Sequence, residues 1–234
     1  MSAIRRILVS IKDPAAGVTP GVRKALQLAR AIGAELELFH ALTMPIYLEN
    51  YLYADTSLPQ IKHDLLARQR ANLEHMAHAL AVGGPKHGER IRVHAAWDFP
   101  AHAAVIRRAR AIRADLVVAD RHAGRHFARR FMRFTDWELL RLCPLPVLLA
   151  GPGGVYRRPA VLAALDPAHS ADKPLKLDNR ILEVAAAFSG ALRGQLHTIH
   201  AYESVPSGMH PVDALDPATA RRLNIRIRAA AVAR

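Results

Sequence analysis

The stretch IRRILVSIKDPAAGVTPGVRKALQLARAIGAELELFHAL, residues 4–42, changes its hydrophobic period twice, and those changes decide the fold. Residues 4–11 form a short β-branched run, read as a buried strand. From Pro20 the apolar residues Val22, Ala25, Leu26, Ala29 and Ile32 recur three and four apart, which puts them on one face of a helix. Gly33 stands where a C-terminal cap belongs. Residues 34–42 alternate and then turn apolar, giving a second strand. A strand, a helix and a strand in succession predict a parallel pair joined by a crossover.

The same alternation continues outward. Residues 43–59 are irregular and aromatic, after which Ile61, Leu65, Leu66, Leu73, Met76 and Leu80 stripe a long helix that stops at GGP, residues 83–85. A third strand (90–97), a helix (102–112) and a fourth strand (114–119) follow. Residues 135–142 read as a helix, and PVLLA, residues 146–150, as the last strand. Five β-α steps with apolar strands predict an α/β fold: an open parallel five-stranded sheet with helices on both faces. Ligands of such a sheet dock beyond the carboxyl ends of its strands. Asp13, Trp97 and the segment 120–137 all lie at such ends.

After the Gly/Pro break GPGGVYRRP (151–159) the beginning repeats. VLAALDPA (161–168) echoes ILVSIKDPA with one residue fewer, and QLHTIHA (195–201) echoes ELELFHA. Between them, NRILEVAAAFSGAL matches the first helix in place and period. Tandem domains are expected, one over 1–152 and a second, truncated copy over 153–234, since Arg234 falls inside what would be the second helix of that copy.

Composition narrows the function classes. The chain has 33 Lys+Arg against 20 Asp+Glu, a formal net charge of +13, which favours contact with anionic partners such as RNA or anionic lipid. Cys143 is the only cysteine, so neither an intramolecular disulfide nor a Cys-based zinc site can form within one chain. Only ILVSI separates the N-terminal arginines from Lys12, too little for an export signal. No run approaches the roughly 18 apolar residues of a transmembrane segment. A cytoplasmic protein is expected.

The strand-one ILVSI with its following acid, ARAIGAELELFHAL, ADLVVADRHAGR and LLRLCPLPVLLAG, in this order and spacing over the first 150 residues, resemble the universal stress proteins. The segment TDWELLRLCPLPV and the internal repeat resemble the tandem-domain type of that family. The resemblance implies a Rossmann-like sheet and, in the ATP-binding subtype, a pattern Gly-x2-Gly-x9-Gly-Ser/Thr after strand four, whose bare backbone N–H groups hold phosphates. On this chain the pattern falls on Asp120 and Ala123 for its first two glycines and on Arg133 and Phe134 for its last pair, with Gly124 one position off. Asp120 would set a carboxylate against a phosphate, and Phe134 brings no hydroxyl. The acid that faces adenosine in the family corresponds to Asp13, and its repeat partner is Asp166; turn formation is the competing reading of both Asp-Pro pairs.

For Arg121, Arg125, Arg129, Arg130 and Arg133 three readings stay open: a solvated basic loop, a site for a phosphate or other anionic headgroup, and nucleic-acid binding with Phe127, Phe131 and Phe134 stacking on bases. His122 and His126 have the His-x3-His spacing of metal ligands on a helix, but no third ligand is identifiable and the surroundings are cationic, so no metal site is expected. His40 and His200 hold equivalent strand ends in the two repeats, which points to a hydrogen-bonded fold position. Cys143 lies between a helix and a proline and is expected to be buried and inert, and no Gly-x-Ser-x-Gly elbow is present. The leading expectation is a non-enzymatic stress-response binding or scaffold module with a degenerate nucleotide site. The alternatives are an ATP- or AMP-binding protein with slow ATP hydrolysis, and an RNA- or anionic-lipid-binding module. If residues 147–150 form an edge strand, a homodimer through Val147–Ala150 is expected.

Overall fold

The computed structural model of the protein describes residues 4–43, 58–82, 91–121, 135–166, 177–200, 218–219 and 221–222. The chain forms two compact units, Ser2–Tyr156 and Arg157–Arg234.

The first unit carries β1 (Arg6–Ser10), α1 (Pro20–Ile32), β2 (Glu35–Leu42), α2 (Leu58–Val82), β3 (Ile91–Trp97), α3 (Ala101–Ala111), β4 (Leu116–Asp120), α4 (Thr135–Leu142) and β5 (Val147–Ala150). Its strands form one sheet in the order β3-β2-β1-β4-β5. Every pair is parallel, with Val9 opposite Leu38 on one side and Val118 on the other. The open five-stranded α/β sheet is therefore present as the sequence predicts. One of its faces meets α3 and α4 in a core of Leu8, Phe39, Ala104, Val105, Ala109, Val117, Ala119 and Leu139. α1 and α2 supply Val22, Ala25, Leu28, Leu73 and Met76 to the buried set.

Local chemistry sets the ends of α1. Thr19 Oγ1 accepts the Val22 N–H at 3.3 Å, and Pro20 occupies the first turn, where its missing N–H costs nothing. Gly33 closes the helix at φ 71°, ψ 31°, a left-handed conformation that glycine adopts without strain. The predicted apolar stripe of α2 divides in two. Leu73, Met76 and Leu80 are buried, whereas Ile61 is exposed and Leu65 and Leu66 are half-buried; the first turns reach β3 through Lys62, whose Nζ stands 4.7 Å from the centre of the Trp97 ring. Cys143 is only half-buried, at the margin of the core rather than inside it, since it follows the last turn of α4.

The second unit contains β6 (Ala160–Leu165), α5 (Leu177–Ala191) and β7 (Gln195–His200), with β6 and β7 parallel. Its local contacts repeat those of the first β-α-β step. Glu35 N–H donates to Arg5 O at 2.7 Å, and Gln195 N–H donates to Pro159 O at 3.0 Å. Gly33 at φ 71° has its counterpart in Arg193 at φ 52°, each just past the helix. His40 Nδ1 donates to Ile11 O at 2.9 Å, and His200 Nδ1 donates to Leu165 O at 3.1 Å. The two histidines thus tie the end of the second strand to the end of the first, which accounts for their recurrence in the sequence.

Candidate functional site

In the order β3-β2-β1-β4-β5 the chain winds one way from β1 through β3 and the other way from β4, so the direction reverses between β1 and β4. The crevice beyond the carboxyl ends of two such strands is where a ligand of this architecture docks. The first turn of α1 and the side chain of Asp120 meet there.

Asp120 ends β4, and its Oδ1 accepts the Gly21 N–H at 2.7 Å. A free N–H of the first turn of α1, at the positive end of the helix dipole, is therefore already bound to a carboxylate supplied by the same chain. Gly21 leaves room for it. A Cβ at position 21 would stand 2.7 Å from Asp120 Oδ1 and 2.9 Å from its Cγ. Asp13 follows β1, is exposed, and uses Oδ1 to accept the Ala15 N–H at 2.9 Å as the N-cap of a short 3-10 turn, Pro14–Ala16. The turn chemistry expected of the Asp-Pro pair is what the side chain does. Its repeat partner Asp166 donates its backbone N–H to Asp178 Oδ1 at 3.3 Å.

Of the basic segment, Arg121 is exposed and its backbone N–H donates to Ala150 O at 2.9 Å, which prolongs the pairing of β4 with β5. His122, Ala123, Gly124, Arg125, His126, Phe127, Arg129, Arg130, Phe131, Arg133 and Phe134 lie outside the described residues. Among the described residues no three His, Cys, Asp or Glu side chains gather as metal ligands would. No described helix is long and apolar enough to cross a membrane.

Sequence reasoning missed Gly21, Lys24 and Gln27. Lys24 is only 6% exposed; its Nζ donates to Gly151 O at 2.8 Å and stands 5.3 Å from the centre of the Tyr156 ring. Gln27 reads the backbone of Tyr156 with both ends of its amide, Nε2 donating to the carbonyl at 2.7 Å and Oε1 accepting the N–H at 2.8 Å. Burial pushes the Tyr156 phenol above its ordinary pKa. These bonds keep residues 151–156 on α1, and the first unit accordingly ends at Tyr156. The available signal was a lysine and a glutamine set among the apolar positions of α1.

A second polar feature lies in the α3 face of the sheet. Glu37, 5% exposed, is held by Arg108 through two bonds, Nε–Oε1 at 2.6 Å and Nη2–Oε2 at 3.2 Å. His94 stacks on Phe39 at 5.9 Å. Burial, then the Arg108 charge, holds the His94 pKa below its ordinary value, with Glu37 opposing them and Arg70 adding a smaller push down.

The sequence model of the Universal stress protein family matches residues 3–151. Universal stress protein E of Escherichia coli K12 is 28% identical over 213 residues, covering 88% of this chain and 64% of its own length. Its Salmonella typhi counterpart is 27% identical over 218 residues, with the same shares covered. Among solved structures, a protein of unknown function from Pseudomonas aeruginosa PAO1 superposes with a TM-score of 0.63 at 23% identity, over 97% of this chain and 69% of that one. The chain spans 64% of the length of these two curated relatives.

Proposed function

Because this chain belongs to the universal stress protein family, we propose that it is a stress-response protein working as a non-enzymatic binding or scaffold module whose nucleotide site is degenerate. One observation carries the reading: the Asp120 carboxylate occupies the Gly21 N–H at 2.7 Å, in the crevice where a phosphate would need that donor. A phosphate brought there meets a like charge and loses the helix end that would have bound it. The departures at Ala123, Arg133 and Phe134 from the glycine pattern point the same way. The second unit repeats the first β-α-β step of the first unit; the matching contacts of His40 and His200 support this. Two copies of the chain associate through the edge strand β5. A cytoplasmic setting accords with the chain's composition.

Native mass spectrometry of the purified protein, before and after addition of ATP, tests the degenerate site. The expected spectrum shows no nucleotide in either case. Retained ATP or AMP would overturn the reading in favour of a nucleotide-binding protein whose basic segment replaces the glycines. Asp120→Gly is expected to gain measurable ATP binding where the parent has none.

A further inference from the structure

We propose that the amino-terminal end of the first unit's sheet, opposite the crevice at β1 and β4, is a contact surface for the phosphate backbone of nucleic acid. Five arginines converge there. Arg6 and Arg92 share one carboxylate, with Arg6 Nε 3.4 Å and Arg92 Nη2 3.5 Å from Glu35 Oε2. Arg6 Nη1 also donates to Ile112 O at 2.7 Å, which brings the start of β1 against the end of α3. The other acid of the group among the described residues, Asp115, spends Oδ2 on the backbone N–H groups of Arg5 and Arg6, at 2.8 and 3.0 Å. The guanidinium groups of Arg5, Arg110 and Arg113 are exposed and meet no carboxylate among the described residues. Among the described residues two acids therefore face five cations, and three of the cations are unneutralised.

Their placement follows the sheet. Arg92 stands on β3, Glu35 opens β2, Arg6 opens β1 with Arg5 just before it, and Arg113 precedes β4, so these residues follow successive strands about 4.8 Å apart across roughly 14 Å, and Arg110 adds a cation on the last turn of α3. The free guanidinium forks of Arg5, Arg110 and Arg113 can each offer a phosphate two parallel bonds. The apolar residues among them, Ile4, Ile91 and Ile112, are half-buried rather than projecting. Among the described residues a lipid surface would find no apolar anchor here, and a purely electrostatic contact with a bilayer is a weak one. The repeating anion of a nucleic acid fits better.

Fluorescence anisotropy with a labelled single-stranded RNA, over a series of salt concentrations, tests the surface. The parent protein is expected to bind with a log–log salt slope of about −2, corresponding to three phosphates on Arg5, Arg110 and Arg113. Arg110→Gln with Arg113→Gln should weaken binding about tenfold at low salt and remove about 1.4 from the slope. Arg23→Gln with Arg68→Gln removes the same charge elsewhere on this unit and should change little. Equal losses in both double variants would reduce the effect to net charge and overturn the surface. So would a loss confined to the control pair, which would move binding to α1 and α2, and so would an RNA affinity that is absent or flat in salt. Vesicles with anionic headgroups that bind as the RNA does, with the same response to Arg110→Gln and Arg113→Gln, would overturn the choice of nucleic acid. All four side chains are exposed, so circular dichroism should report unchanged folding.

Discussion

A carboxylate set against the first turn of a helix lowers the energy of that end twice, by accepting an N–H that has no partner within the helix and by opposing the dipole. Asp120 does both for α1, and only glycine at position 21 admits it. Gly21→Ala should therefore behave unlike most glycine-to-alanine changes in a helix, where alanine gains about 1 kcal/mol. The new methyl forces Asp120 to swing away and give up its bond to the Gly21 N–H, and a net destabilisation of about 1 kcal/mol is expected. In the Asp120→Gly background the collision is gone, so the same substitution should raise stability instead. Thermal or urea unfolding of the four proteins in this cycle decides the matter. Additive effects would mean that Asp120 and Gly21 are not coupled.

Between elements, α3 is fixed to the sheet by one ion pair as well as by its alanines. Glu37 interrupts the apolar run of β2 and is buried, and Arg108 reaches it from α3. Arg108→Ala leaves a carboxylate in the core face without its partner and should cost about 2–4 kcal/mol, the lower part of that range because 28% of the arginine side chain is already in contact with water. Glu37→Leu combined with Arg108→Leu removes both charges and should recover most of the loss, a contrast that chemical denaturation can measure. The helix and strand patterns made the elements themselves legible: Val22 to Ile32 on α1 reflect a single buried face, and the apolar character of β2 reflects burial on both faces, from Leu36 to His40. Which element lies beside which was less legible. Asp120 and Gly21 stand 99 positions apart and meet only because β4 lies next to β1. The order of strands, not any local pattern, creates that contact. The same limit hid the grip of Lys24 and Gln27 on residues 151–156, which is set by a packing between α1 and a segment about 129 positions away. Asp13 was legible for the opposite reason, because its bond to the Ala15 N–H is local.

At the scale of the molecule, the sheet of the first unit ends in β5, whose outer backbone edge has no strand beside it among the described residues. Such an edge is a template for another strand unless charge, proline or a bulge blunts it. Val147, Leu148 and Leu149 carry none of these, and they are half-buried within the unit. Trp137 and Leu140 of α4, the helix that leads into β5, are 49% and 47% exposed, so the apolar surface continues past the strand. Pairing β5 with its counterpart in a second copy would satisfy the backbone and cover those side chains at once, and a two-fold axis lets the same residues serve on both sides. Light scattering coupled to size exclusion should then report twice the chain mass for the parent protein. Leu148→Glu places a charge at the centre of the paired edge and should yield monomers that keep the far-ultraviolet spectrum of the parent. Trp137→Ala, outside the strand, should weaken the dimer so that its mass falls on dilution. A parent protein that is monomeric throughout, or a Leu148→Glu variant that is folded and still dimeric, would place the association elsewhere or remove it.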